Sequence, residues 1–162
     1  MARIHFPEIA QLGGHLEGLV GAPVSITPRP SPNGFDARVH TARYRLKDDG
    51  LAALLQVDLD LAARLGSALA MMPAEEALAA TERGALDEDL TDAWSEVANV
   101  LAALLCADDS PHVRWTELAT SESELTVDDK DLLAAPCDRI DVEIEVEAYG
   151  AGLMTLLTAR LD

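Results

Sequence analysis

Glu96 and Asn99 are the two residues of this chain whose types and spacing best suit chemistry. They fall in a predicted helix over residues 87–107, and residues three apart on a helix lie on one face with Cβ atoms about 5–6 Å apart. A carboxylate can pair with an incoming cation, while an amide both donates and accepts hydrogen bonds and can hold a water molecule in a fixed direction. Orienting water is what hydrolysis of an acyl phosphate requires, because the phosphoryl group is already activated. The alternative interpretation is that both residues are ordinary members of a solvated helix face.

The same pattern occurs a second time, 88 residues earlier in the chain. At this offset an acidic residue, an amide three positions later and a proline twelve after the amide all fall in register. The aligned pairs are Glu8 with Glu96, Gln11 with Asn99 and Pro23 with Pro111. Two unrelated amphipathic helices can share apolar spacing, but polar and proline matches at one common offset favour a true repeat.

The elements that must position these residues follow the same order twice: helix, proline, strand, loop and hairpin. Apolar periodicity predicts helices over 5–20, 61–71 (capped by Asp60), 74–82 and 87–107, and strands over 24–26, 36–46, 51–59, 112–119, 139–148 and 153–161. Residues 28–34 and 120–138 are predicted to be irregular, with a turn at 150–152. The sequence therefore predicts one α/β (α+β) domain over 1–162. Its two halves, about 1–73 and 86–162, are related by a pseudo-twofold, and helices pack on one face of a mostly antiparallel sheet.

The composition narrows the class of partner. Twelve Lys and Arg residues against 29 Asp and Glu give a formal net charge of −17, which repels nucleic-acid phosphates and anionic lipids alike. The sequence has no apolar run of about 20 residues and no secretory signal, so we expect a cytoplasmic protein with reduced thiols. The four histidines show no ligand spacing, and Cys106 and Cys137 form no metal or redox motif.

Asp92, Glu96 and Asn99 together resemble the signature of the CheC/CheX/FliY family of chemotaxis phosphatases, which is an Asp or Ser, then Glu four positions later, then Asn three positions after that. The segment 8–13 followed by 22–24 is also similar to the family's first helix and following strand. A strand running into a small-residue helix, over 54–72, is similar to the family as well. The resemblance covers most of the chain as architecture and implies a CheC-like fold.

Proteins of that family hydrolyse the aspartyl phosphate of the response regulator CheY, and the resemblance implies roles for individual residues. Asn99 would position the attacking water and Glu96 would pair with the regulator's active-site lysine, while Asp92, Ser95 and Ala103 would contact the partner. The regulator would supply the phosphorylated aspartate and its Mg²⁺, so the chain is expected to need no cofactor of its own. Because regulator pockets are acidic too, a weak, transient complex is expected, with binding helped by added salt.

The chain departs from the family pattern at three positions. Gln11 stands where a first active site would have Asn, Ile4 stands where Asp or Ser is expected, and Glu122 stands where the family often has proline. Glu8 and Gln11 are therefore predicted to form a degenerate second site, which makes the chain more similar to CheX than to the two-site CheC type. One alternative is a non-catalytic module of the same fold that binds a response regulator or the flagellar switch. Another is a structural homodimer that uses strand 139–148 as a sheet edge.

Overall fold

A computed structural model describes residues 2–29 and 38–161. The strands are β1 (Val24–Pro28), β2 (Val39–Leu46), β3 (Leu51–Asp58), β4 (Val113–Ala119), β5 (Asp138–Val146) and β6 (Gly150–Thr158). The helices are α1 (Ile9–Val20), α2 (Leu59–Leu69), α3 (Ala74–Arg83), α4 (Glu88–Leu101) and α5 (Val127–Ala134), with short 3₁₀ turns at Ala102–Leu105 and Glu122–Glu124. Most of the predicted loop 28–34 and the first residues of the predicted strand 36–46 lie outside the described residues.

The six described strands form one antiparallel sheet in the order β1-β5-β6-β3-β2-β4. Exchanging β1 with β4, β2 with β5 and β3 with β6 gives the same order in reverse. A pseudo-twofold axis therefore passes between β3 and β6, as the repeat predicted. The residue limits of the two halves stay a prediction.

One face of the sheet carries the main core. Along β3, Ala53, Leu55 and Val57 are buried on this face, where they meet buried residues of α1, α2 and α4. The start of α2 lies so close to β6 that a Cβ on Gly152 would stand 2.4 Å from the Cβ of Leu61. This contact is made possible by a residue without a side chain, and it confirms the prediction that helices pack on one face of the sheet.

The fifth helix lies on the opposite face, where the sequence predicted irregular structure over 120–138. That prediction was wrong because α5 has almost no apolar periodicity of its own and is held by polar contacts. Its N-cap Thr126 and its third residue Asp129 form a capping box, and Asp129 makes a buried ion pair with Arg43 of β2 at 2.7 Å. Leu132 then covers the outward side chains of β3 and β6.

Three further boundaries differ from the predicted ones. Asp58, rather than Asp60, caps α2, because its Oδ1 accepts the amide of Leu61 at 2.8 Å where β3 ends. The second hairpin turns at residues 147–149, with Ala148 at φ 70°, so Gly150 already pairs with Val146 in the sheet. The long helix predicted to reach 107 ends at Leu101 and tightens into the 3₁₀ turn.

The predicted edge strand is also an interior strand. β5 pairs with β1 on one side and β6 on the other, so its backbone offers no free edge to a second chain. The exposed Glu143 and Glu145 alternate with buried Val142 and Ile144 on this strand. The hypothesis of a homodimer built on the edge of strand 139–148 is therefore wrong, since β1 and β4 are the edges of the described sheet.

Candidate functional site

Helix α4 presents the candidate residues as one exposed strip. Asp92, Glu96 and Asn99 are exposed, and Ala103 continues the strip in the 3₁₀ turn, while Ser95 is half-buried with its hydroxyl donating to the Thr91 carbonyl. The strip results from helical spacing: the buried residues of the same helix are Leu90, Trp94, Val97, Ala98 and Leu101. The structure thus brings together five of the seven residues singled out from the sequence.

The N-terminal part of α4 is fixed by a cap and by close packing. Asp87 is the N-cap, and its Oδ1 accepts the amide of Leu90 at 2.8 Å. Further along, α2 approaches α4 at Gly66, where a Cβ would stand 3.3 Å from the Leu90 carbonyl oxygen and 3.4 Å from the Trp94 nitrogen. Trp94 itself is fully buried. The helix that carries Glu96 and Asn99 therefore has a rigid base against the core.

Two side chains from remote elements bond the backbone on either side of Asn99. The hydroxyl of Tyr44, on β2, donates to the carbonyl of Ala98 over 2.6 Å. The ring of His15, on α1, places Nε2 3.3 Å from the carbonyl oxygen of Val100. Sequence reasoning missed both residues, since 54 and 85 positions separate them from the carbonyls that they contact and no local pattern announces such a pairing.

The side chains of Glu96 and Asn99 make no hydrogen bond or ion pair with any other residue that the structure describes. Three cavities of about 260–280 Å³ lie elsewhere on the molecule, at Arg38 and His40, at Arg3 and Phe6, and at Arg64. The described linings of these cavities include neither candidate residue. A free carboxylate and amide on a convex helix suit insertion into the concave site of a large partner better than capture of a small molecule.

The counterpart in the first half has a different position and different bonds. Pro7 precedes α1, and because proline disrupts a helix interior, the helix begins only at Ile9. Glu8 is therefore the N-cap, and its amide donates to Oε1 of Gln11 over 2.8 Å in a capping box. In α4 the equivalent pair stands in the third turn of a helix that has already started. Glu8 and Gln11 thus have a helix-capping role that Glu96 and Asn99 do not.

Two absences concern the described part of the chain. Within residues 2–29 and 38–161, none of the helices has the length and apolar character needed to cross a membrane. The same residues contain no group of three or more His, Cys, Asp or Glu side chains arranged to hold a metal ion. The expectation that the chain needs no metal of its own stays a prediction.

Solved structures define the fold class. FliY from Thermotoga maritima matches with a TM-score of 0.63 at 14% identity, over 91% of this chain and 81% of that one. A chain of the CheX–CheY–BeF3–Mg²⁺ complex from Borrelia burgdorferi matches with a TM-score of 0.53 at 10% identity, over 91% and 92%. A chain of the FliG–FliM complex from H. pylori matches with a TM-score of 0.51 at 12% identity, over 93% and 85%.

No family model and no curated protein matches the sequence. The structural matches are far below the identity at which activity can be transferred, so what they establish is the fold. The chain has the fold shared by FliY, CheX and CheC-like proteins. This confirms the fold that the spacing of Asp92, Glu96 and Asn99 implied.

Proposed function

We propose that this protein is a phosphatase for the aspartyl phosphate of a CheY-like response regulator in chemotaxis signalling. The observation that carries the proposal is an exposed carboxylate and an exposed amide, Glu96 and Asn99, on one face of a helix that is anchored to the core. The fold supports it, because one similar solved chain belongs to a complex of CheX with CheY, BeF3 and Mg²⁺. Neither side chain has a structural partner among the described residues, so both are free to enter another protein.

In this proposal the two proteins divide the chemistry. The regulator supplies the phosphorylated aspartate, its bound Mg²⁺ and a lysine, and Glu96 pairs with that lysine. The amide of Asn99 orients a water molecule for attack on phosphorus. The water oxygen bonds to phosphorus while the bond from phosphorus to the aspartyl oxygen breaks, giving inorganic phosphate and a free carboxylate. Asp92, Ser95 and Ala103 flank the pair and contact the regulator surface.

A second candidate is a binding module of the same fold that does not turn over its partner. One observation favours it: a chain of the FliG–FliM complex has the same fold as this protein. Glu122, where the phosphatase pattern often has proline, is consistent with this alternative, as is the capping role of Glu8 and Gln11. The binding module predicts that a regulator binds with no change in the lifetime of its phosphoryl group.

The decisive experiment follows the decay of a phosphorylated CheY-type regulator with and without this protein. Asn99→Ala is expected to lower the catalysed rate by about a hundredfold, since the water loses its orienting group. Glu96→Gln is expected to weaken regulator binding. Glu82→Gln, which removes one charge from an exposed position on α3, is the matched control and is expected to behave as wild type.

Each outcome distinguishes the candidates. Accelerated decay that Asn99→Ala removes supports the phosphatase. Regulator binding without acceleration supports the binding module. Acceleration that survives Asn99→Ala contradicts the assigned site, and circular dichroism and urea unfolding of each variant exclude loss of folding as the cause.

A further inference from the structure

We propose that Tyr44 and His15 are positioning residues that set the direction of the Asn99 side chain by holding the two backbone carbonyls next to it. The inference rests on the proposed function for its kinetic consequences. Its geometric content concerns this protein alone and can be tested without a regulator.

The contact of Tyr44 coincides with a change of helix type. The amide of Ala102 donates to the carbonyls of Asn99 and Val100, so the Ala98 carbonyl is left to accept the Tyr44 hydroxyl instead. From Ala102 the chain continues as a 3₁₀ turn. Tyr44 is 1% exposed, and burial raises the pKa of its phenol, so the hydroxyl stays protonated and able to donate. The last turn of α4 is thereby tied to the central part of the sheet.

The contact of His15 ties the same turn to a second element. Its Nε2 lies within hydrogen-bond distance of the Val100 carbonyl oxygen, and a ring protonated at Nε2 donates to it. Asn99 therefore stands between one backbone group held from β2 and another held from α1. The direction of a Cα–Cβ bond follows the backbone on either side of it, so these two bonds fix where the Asn99 amide begins.

No such arrangement surrounds the counterpart in the first half. Ala10, which aligns with Ala98, is exposed, whereas Ala98 is fully buried beneath the strip. The Tyr44 bond is therefore a property of the half that carries the free amide. A displacement of about 1 Å at a group that orients a reactant costs about a hundredfold in rate. Two tethers that limit such a displacement have a direct use in a site where a single amide must aim a water.

The test uses Tyr44→Phe, which keeps the ring and removes the hydroxyl, and His15→Gln, which keeps a nitrogen donor. Tyr149→Phe is the matched control, because the Tyr149 hydroxyl also donates to a backbone carbonyl, that of Met72 over 2.7 Å, remote in sequence from α4. NMR measurement of the χ1 couplings of Asn99 is expected to show one rotamer in wild type, Tyr149→Phe and His15→Gln. In Tyr44→Phe, rotamer averaging is expected, with amide shifts concentrated at residues 98–102.

Kinetics with a phosphorylated regulator give the second readout. Tyr44→Phe is expected to lower kcat about tenfold with KM within twofold of wild type, and to cause no further loss when Asn99 is already alanine. Unchanged Asn99 couplings in Tyr44→Phe would overturn the inference. So would an equal loss of kcat in Tyr44→Phe and Tyr149→Phe. If wild type has no phosphatase activity, the proposed function fails, while the couplings still decide the positioning role.

Discussion

His40 is a histidine of β2 whose side chain is 6% exposed and whose Nδ1 has no hydrogen-bond partner among the described residues. Burial lowers its pKa below the ordinary value of 6.5, and the nearby Glu124 opposes this only in part. Because the folded state disfavours the proton, His40 contributes stability that is fully present above pH 6.5. That stability is lost as the pH falls from 6.5 towards the lowered pKa, where the unfolded chain binds a proton and the folded chain does not.

We therefore expect wild type to lose free energy of unfolding between pH 7.5 and pH 5.5 in urea titrations. His40→Leu removes the titrating group and should reduce this loss. His112→Gln, at an exposed histidine, should retain it. An equal slope in wild type and His40→Leu would show that other groups carry the pH dependence.

At the scale of single residues, the sequence predicted the features that depend on local spacing. The exposure of Glu96 and Asn99 results from a helical period that buries Trp94 and Val97. The contacts of Tyr44 and His15 could not be predicted, since each depends on how remote elements are placed in the folded chain. Local spacing identifies the side chains that a helix presents but not the groups that hold the helix.

The placement of α2 on the sheet depends on a close approach that can be tested with two glycines. Gly152→Ala would set a Cβ 2.7 Å from the Leu61 nitrogen as well as against its Cβ, so something must shift, and we expect a loss of about 1–3 kcal/mol. Gly14→Ala, inside α1 with nothing within 4 Å of the new Cβ, should instead stabilise by about 0.5–1 kcal/mol. Thermal and urea unfolding measure both. A neutral Gly152→Ala would contradict the tight contact between α2 and β6.

The docking of α5 depends on one buried ion pair. The Arg43 and Asp129 side chains are 7% and 1% exposed, so removing one charge leaves the other buried and poorly compensated. Burial alone would raise the pKa of Asp129, but the hydrogen bonds from Arg43 and Thr126 outweigh it and lower that pKa. Asp129→Asn keeps a capping oxygen and removes the charge, and we expect it to cost about 3 kcal/mol.

The control for this variant is Asp128→Asn, at the adjacent exposed residue of the same helix. Urea unfolding gives the free energies, and hydrogen exchange shows whether α5 detaches before the rest of the molecule. Similar stability of both variants would indicate that Leu132 and its apolar neighbours, rather than the ion pair, hold the helix.

Among the elements, the sequence predicted those with strong periodicity and missed the one without it. Four helices and the alternating strands were recognised because each buries a regular apolar set. Helix α5 has the single buried apolar residue Leu132, so its segment lacks the pattern that predicts a helix. Its partner Arg43 lies 86 residues away, so the interaction that orders this segment is invisible to any local pattern.

At the scale of the whole molecule, the twofold order of the sheet coexists with an unequal pair of halves. Pro7 shortens α1, and the aligned position in α4 is Ser95, where the helix runs on. The 88-residue offset predicted the symmetry but not this difference, which separates a helix cap from an exposed pair. Duplicated architecture here carries one candidate site, as the substitution of Gln11 for Asn led us to expect.

The net charge of −17 bears on how such a site meets its partner. A response regulator has an acidic pocket, so long-range forces between the two proteins should be repulsive while the contact of Glu96 with a lysine is attractive. Salt screens the separated charges more than the close pair, because the Debye length is about 10 Å at 0.1 M ionic strength. We therefore expect the Kd for the regulator to fall as ionic strength rises from about 0.02 M to 0.2 M, mainly through faster association. Replacing Glu143 and Glu145 with Gln removes two exposed negative charges from β5 and should flatten that dependence, as stopped-flow association rates would show. A Kd that rises steadily with salt would mean that attractive charge pairs dominate the encounter and that the acidic surface faces away from the regulator.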